Sequence, residues 1–427
     1  MRITVRRLTV LTLAAAVLLF PTAARAQRYT APDGKLRVAL AQQPFSPNGT
    51  VPGPRTMASG GVQNLLAELG AAVRVQEAAL TAEENTEYGG WKRLGMIEQS
   101  GAYDIFAAAS TLPAFVKERN PRRIAVNMSE EIGPADGLSH TMYQSLVKSL
   151  GEPFASRLVS AERLVSEFRS RRVAAEIVAF GEAAGIAIQL TERALSNEVI
   201  TVGKTTLEDV AWWMQDRLLE RGLQSEFDMP SVYVTGPEGI VATSTARIVQ
   251  PGDVMMIDWG VRVMNFGTDV KRVAYVLKPG ETAPPTSIQA AFDKAIAARD
   301  VFKKTIKPGV RADATMKSID AALRNAGYGV IEFNKPNSDS KTDIVYGFHP
   351  VGNTGHDIGP SLTTWQPLQT TFELHRQHIF SFEFFAYTPI AEWGGKKLRI
   401  PIEDDAVLME QGIQFLHSAN YRLLVIK

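Results

Sequence analysis

Asp258, Asp269, His356, Glu383 and Glu403, strung across the last 170 residues of this 427-residue sequence, are the side chains whose types and surroundings point most directly to chemistry. Each lies in a short stretch that reads as a strand or strand end: VMMIDWG, NFGTDVKRVAYVL, GNTGHDIGP, IFSFEFFAY and LRIPIEDDAVLM. A carboxylate in an apolar strand is costly to bury unless a positive charge neutralises it, and no Lys or Arg in these segments is evidently placed to do so for four at once. A pair of divalent metal ions would. An oxygen-rich donor set with one imidazole suits Mn, Zn, Co or Fe rather than a thiolate-seeking metal. The ten residues between Asp258 and Asp269 span a strand end, a turn around Arg262 to Gly267 and a return strand, which could bring both carboxylates to one face of a hairpin. Singly, each residue has a plainer reading. Asp258 or Glu383 could be a strand-end carboxylate bonded to backbone amides, His356 a loop histidine, and Glu403 one of three solvated acids in Glu403-Asp404-Asp405. Asp404 and Asp405 read as supporting or surface acids.

The elements that must position these residues begin near Val173 with a long apolar helix, VAAEIVAFGEAAGIAIQLTERALS. An internal repeat follows. ITVGKTTLEDVAWWMQDRLLERGL and IKPGVRADATMKSIDAALRNAGYG share an early glycine (Gly203, Gly309), a helix of similar length and a closing glycine (Gly222, Gly327), which predicts two helix-plus-hairpin halves related by pseudo-twofold symmetry. Before them, residues 35–96 read as a β-α-β segment and 97–170 as the α/β remainder of an N-terminal domain, with YDIFAAAS and RRIAVNMS as buried strands and SHTMYQSLVKSLG as an amphipathic helix. The fold class expected is α/β (α+β), with a small N-terminal domain ahead of a duplicated domain over 171–427.

Composition narrows the classes. A net charge of +1 gives no reason to expect nucleic acid as a partner, and the absence of cysteine excludes disulfides and a thiol nucleophile. Residues 1–26 carry a basic n-region (MRITVRR), an apolar core (LTVLTLAAAVLLF) and an Ala24-Arg25-Ala26 cleavage pattern, so a signal peptide and a periplasmic or secreted mature protein starting at Gln27 are expected. The apolar run is shorter than the roughly 20 residues of a spanning helix, so no membrane association is expected after cleavage.

The order Asp258, Asp269, His356, Glu383, Glu403 resembles the signature of the pita-bread metallopeptidases, the family of methionine aminopeptidase, aminopeptidase P, prolidase and the metal-free creatinase. From about residue 97, segments such as SGAYDIFAAAS, NPRRIAVNMSEE, RLVSAERLV and DVAWWMQDR look like the exported branch of aminopeptidase P-like proteins. The resemblance implies a pita-bread domain, two divalent ions (Mn foremost, Zn or Co as alternatives) and an exopeptidase acting on the N-terminal residue of peptides, Xaa-Pro bonds included. Asp258 would be a terminal ligand, Asp269 and Glu403 bridges, and His356 and Glu383 would complete the second ion. Glu383 would also handle the proton, and the free N-terminus of the peptide would sit near Asp258. A homodimer is compatible with this reading. Residues 35–96 resemble more weakly the opening of the arginase and agmatinase (ureohydrolase) fold, without its Asp-x-His-x-Asp or Asp-x-Asp motifs, which raises a chimeric join.

The sequence departs from the family where further histidines are expected. Val241, Ala242 and Thr243 stand about seventeen residues before Asp258, Gly352 stands four before His356 and Thr363 seven after it. Of the six histidines, His349 is close enough in sequence to reach the cleft and is the candidate accessory catalytic group; His375 and His378, in FELHRQHIF, read as surface residues. Two classes therefore remain: a metalloaminopeptidase with Glu383 and His349 as catalytic residues, and a metal-binding relative that is weak or inactive because those histidines are missing. Metal-free, creatinase-like hydrolysis needs the histidines this chain lacks.

Overall fold

The structure, a computed structural model, describes residues 77–78, 106–107 and 112–427, apart from 227, 228, 264, 265, 334 and 340. The chain divides into two compact units, Met1–Asn120 and Pro121–Lys427. Of the first, strands β1 (Glu77–Ala78) and β2 (Phe106–Ala107) pair in parallel, and a helix covers Leu112–Arg119. The expected signal peptide, and nearly all of residues 35–96 with the join expected at their end, lie outside the described residues.

The second unit opens with a parallel pair, β3 (Ile124–Val126) and β4 (Leu158–Ser160), and helices His140–Leu150 and Glu162–Ser170. The first of these is the helix expected from SHTMYQSLVKSLG, and Ser139 caps it by accepting from the Met142 amide. The strand in RRIAVNMS forms, but it is half-buried rather than buried.

The predicted long helix forms over Ala174–Ala194. Its buried residues recur at helical spacing (Phe180, Ala183, Ala184, Ala187, Ile188, Leu190, Thr191, Ala194), one apolar face laid on a sheet. That sheet is built from β6 (Ser231–Gly236), β7 (Gly239–Val241), β8 (Val254–Trp259), β11 (Val270–Val276) and β20 (Leu424–Ile426), in the order β20-β11-β8-β6-β7. A smaller three-stranded sheet joins β5 (Gln224–Ser225), β9 (Val261–Val263) and β10 (Phe266–Gly267). In the second half, helices Thr286–Thr305 and Ala312–Asn325 contribute to a core shared with two four-stranded sheets. One sheet holds β12 (Gly329–Val330), β13 (Asp343–Tyr346), β16 (Phe384–Pro389) and β17 (Lys397–Ile402). The other holds β14 (His349–Pro350), β15 (His378–Ser381), β18 (Asp405–Met409) and β19 (Gly412–Phe415).

The repeat read from the sequence has a structural counterpart. Helix Leu207–Leu219 lies between Gly203 (φ 80°) and Gly222 (φ 68°), and helix Ala312–Asn325 between Gly309 (φ 81°) and Gly327 (φ 89°). All four glycines occupy the left-handed region that side chains with a Cβ avoid, so the two halves enter and leave their helices through the same backbone turns.

The alternation of strand residues sorts side chains between core and site. Trp259 is fully buried and donates from Nε1 to Thr191 Oγ1 (2.5 Å) on the long helix, while its neighbour Asp258 keeps a quarter of its side chain exposed on the opposite face. On the other half, Phe382 stacks on Phe348 (ring centroids 4.5 Å) and meets Phe302 edge-on at 5.9 Å. The residues that follow those two phenylalanines are Glu383 and His349, so one aromatic layer fixes the backbone beneath two site residues.

Candidate metal centre

The five side chains singled out by sequence converge, and His349 joins them. Donor atoms of Asp269, His349 and His356 lie within 4.8 Å of one another, as do those of His349, Glu383 and Glu403, and those of Asp258, Asp269 and Glu403. Asp258 is the penultimate residue of β8, Asp269 precedes β11, Glu383 stands between β15 and β16, and Glu403 between β17 and β18.

On one side of the cluster His349 Nε2 lies 3.7 Å from Asp269 Oδ2, 3.7 Å from Glu383 Oε2 and 3.8 Å from Glu403 Oε1. His356 Nε2 is 3.6 Å from the same Asp269 oxygen, and the two imidazoles stack with centroids 4.0 Å apart. Donors about 2.1 Å from a common ion sit roughly 3.0–3.4 Å from one another, so these separations need only a small contraction to enclose one. His349 Nε2 and Asp269 Oδ1 are buried, and neither has a hydrogen-bond partner. Burial, with His356 alongside, pulls the His349 pKa down to about 3, so the ring is neutral and its nitrogen can serve as a ligand. Burial likewise pushes the Asp269 and Glu403 carboxyls well above the usual range in the protein alone, the signature of carboxylates short of positive charge. The residues on this side fit a divalent ion.

The opposite side differs from the sequence expectation. Lys271, two residues beyond Asp269, places Nζ 3.1 Å from Asp258 Oδ2, 2.8 Å from Glu383 Oε1 and 2.5 Å from Glu403 Oε2. Burial favours its neutral form, but Asp258, Glu383, Glu403 and Asp269 outweigh burial and hold its pKa well above the usual lysine value. The reading that no Lys or Arg neutralises these carboxylates is therefore corrected. Backbone pairing explains the placement: Lys271 is the partner of Asp258 in the β8/β11 ladder and bridges to Glu403. Glu383 and Glu403 thus divide their oxygens, Oε2 and Oε1 toward His349, Oε1 and Oε2 toward the ammonium.

The residues that follow Lys271 and Glu403 make a second ion pair. Arg272 donates to Asp404 (2.9 Å), which also accepts from the Asn420 amide, and Asp405 accepts from the Asp269 amide at 3.2 Å. Asp404 and Asp405 are 2% exposed, so they support the site from behind and are not surface acids.

The His356 loop is held by two acids. Asp357 is buried and accepts from Arg169 (2.7 Å), Arg172 (3.4 Å) and the Asn353 amide (2.8 Å); Glu226 accepts from the Gly355 amide at 2.8 Å and from Arg262. Neither has a spacing signal in the sequence. Gly352, where a histidine was expected, has no room for one: a Cβ there would lie 1.9 Å from Asp357 Oδ2 and 2.2 Å from Arg172 Nη2. Thr363 is buried beside Ser361, and Thr243 bonds the Val232 backbone. His375 and His378 are buried, contrary to their surface reading: His375 meets Arg171, and His378 Nε2 lies 3.0 Å from the Pro360 carbonyl.

The sequence pattern of metallopeptidase family M24 matches residues 179–410. No curated protein matches the chain. Among solved structures, an X-Pro aminopeptidase from Thermotoga maritima MSB8 is 20% identical, with 75% of this chain and 82% of that one aligned at a TM-score of 0.53. An Xaa-Pro dipeptidase from Bacillus anthracis is 19% identical, aligned over 82% and 85% at a TM-score of 0.54. A prolidase from Pyrococcus horikoshii OT3 is 18% identical, over 75% and 81% at 0.52. At these identities the likeness is one of fold, and the duplicated domain is a pita-bread domain.

Proposed function

The chain belongs to metallopeptidase family M24, a family of peptidase hydrolases, and on that premise we propose that it is a metal-dependent exopeptidase removing the N-terminal residue of peptides, Xaa-Pro bonds foremost. Mn is the proposed ion, with Zn and Co as alternatives. The observation that carries this reading is the convergence of Asp269, His349, His356, Glu383 and Glu403 from separate strands and loops onto one centre, with the lone pair of a neutral His349 facing it. A bound divalent ion would supply Lewis-acid activation of water and of the peptide carbonyl. Glu383, 13% exposed, sits where a carboxylate can take up a proton and release it to the departing amine. Lys271 keeps Glu383 ionised for that role: burial opposes the charged form, but the ammonium 2.8 Å away overrides it and lowers the pKa.

Export to the periplasm or beyond is part of the proposal and rests on residues 1–26.

A second reading, a metal-binding relative with weak or no turnover, is favoured by Gly352 and Thr363 standing where histidines were expected and by the enclosed position of Lys271. A panel of di- and tripeptides, assayed after loading the metal-free protein with Mn or Co, separates the two. Turnover that is lost in Glu383→Ala and retained in His417→Ala supports the exopeptidase. No turnover on any peptide by a metal-loaded, folded protein supports the binding-only relative.

A further inference from the structure

We propose that the Lys271 ammonium stands permanently in the place of one of the two cations, so that this chain holds a single divalent ion on its histidine side. The inference rests on reading the cluster as a metal centre and concerns which half of it takes metal.

Three observations carry it. First, Nζ lies within 3.1 Å of one oxygen from each of Asp258, Glu383 and Glu403. An ion about 2.1 Å from those same oxygens would overlap the ammonium, so the two exclude one another. Second, the lysine cannot withdraw cheaply. It is 4% exposed, its backbone is fixed by the Asp258 pairing and by a hydrogen bond from its own N–H to the Glu403 carbonyl (3.2 Å), and a desolvated ammonium elsewhere would need new carboxylates. Third, the histidine half keeps a buried donor without a partner. His349 Nε2, facing Asp269 Oδ2, Glu383 Oε2 and Glu403 Oε1, makes no hydrogen bond, whereas Asp258 Oδ2, Glu383 Oε1 and Glu403 Oε2 are each engaged by Lys271. A shared cluster thus has one satisfied half and one half short of a cation. Asp258 then serves the lysine rather than a metal.

The test is the number of Mn ions bound per full-length chain, measured by equilibrium dialysis and elemental analysis, with paramagnetic resonance of the bound Mn as a second readout. Wild type is expected to bind one ion per chain with the spectrum of an isolated ion. Lys271→Ser is expected to bind two, with the spectrum of a spin-coupled pair. Asp258→Asn, which keeps the strand and removes only a lysine partner, is expected to retain one ion and covers the case in which Lys271→Ser does not fold. Two ions in wild type, one ion in a folded Lys271→Ser, or loss of the ion in Asp258→Asn would each overturn the proposal while leaving a metal centre in place. Failure of wild type and both variants to bind Mn at all would instead remove the metal-centre reading itself.

Discussion

Lys271 faces Asp258 directly across the antiparallel β8/β11 ladder, with Nζ 3.1 Å from the carboxylate, and one residue along each strand the side chains point to the opposite face. This pair sets the charge balance of the whole cluster. Without metal, one ammonium answers three carboxylates, and Asp269 behind it depends on protonation or on a bound cation.

Lys271→Met should therefore destabilise the metal-free protein by about 3–5 kcal/mol, since it leaves buried carboxylates without their counter-charge. Added Mn should restore much of that loss, because the ion can replace the missing charge. Denaturant titrations in chelator and in excess Mn check both parts. A variant as stable as wild type in chelator would mean that the lysine does not hold the cluster together.

Gly352→His, which puts back the histidine expected from the family, should not rescue or raise activity. Its Cβ would collide with Asp357 and Arg172, opening a buried ion pair 3.4 Å long and the loop that carries His356. Thermal unfolding should shift downward by the equivalent of about 3 kcal/mol or more. An unchanged midpoint with higher turnover would show that the loop has room that the geometry denies it.

Asp258, Asp269, Glu383 and Glu403 are legible because acids in or beside apolar strands stand out from sequence alone, and His356 through the order it completes with them, although it lies in a loop. The duplication was legible too, through glycines whose left-handed backbone no other residue type adopts as easily. Lys271 was in plain view two residues from Asp269, and period-two alternation puts residues i and i+2 on one face. Its role is not legible there because its three partners come from strand β8 and from the ends of β15 and β17, more than a hundred residues away for two of them. His349 is legible only through its closeness in sequence to His356, because its own two-residue strand is too short to leave a pattern. His375 and His378 sit among polar neighbours in sequence, and only the pairing of β15 with β18 and the turn at Pro360 bury His378.

Those two histidines should shape the acid limb of stability. Burial lowers His375 to about 3 and His378 to about 4, below the 6.5 of an unperturbed imidazole. The unfolded chain takes up protons below about pH 6.5 that the folded chain refuses, so stability is greatest above that pH and falls as the pH drops toward 4. The double variant His375→Asn, His378→Gln should show a shallower fall in unfolding free energy between pH 6 and pH 4. An equal slope in the two proteins would mean that these rings titrate normally.

A divalent ion is expected to bind where His349, His356, Asp269, Glu383 and Glu403 meet. Crystals of the full-length protein grown with Mn, measured for anomalous scattering at the Mn edge, test it most directly. The expected result is a peak about 2.1–2.3 Å from His349 Nε2 and an Asp269 oxygen, with Lys271 still bonded to Asp258. Anomalous density absent from that position in a fully Mn-saturated crystal would contradict it.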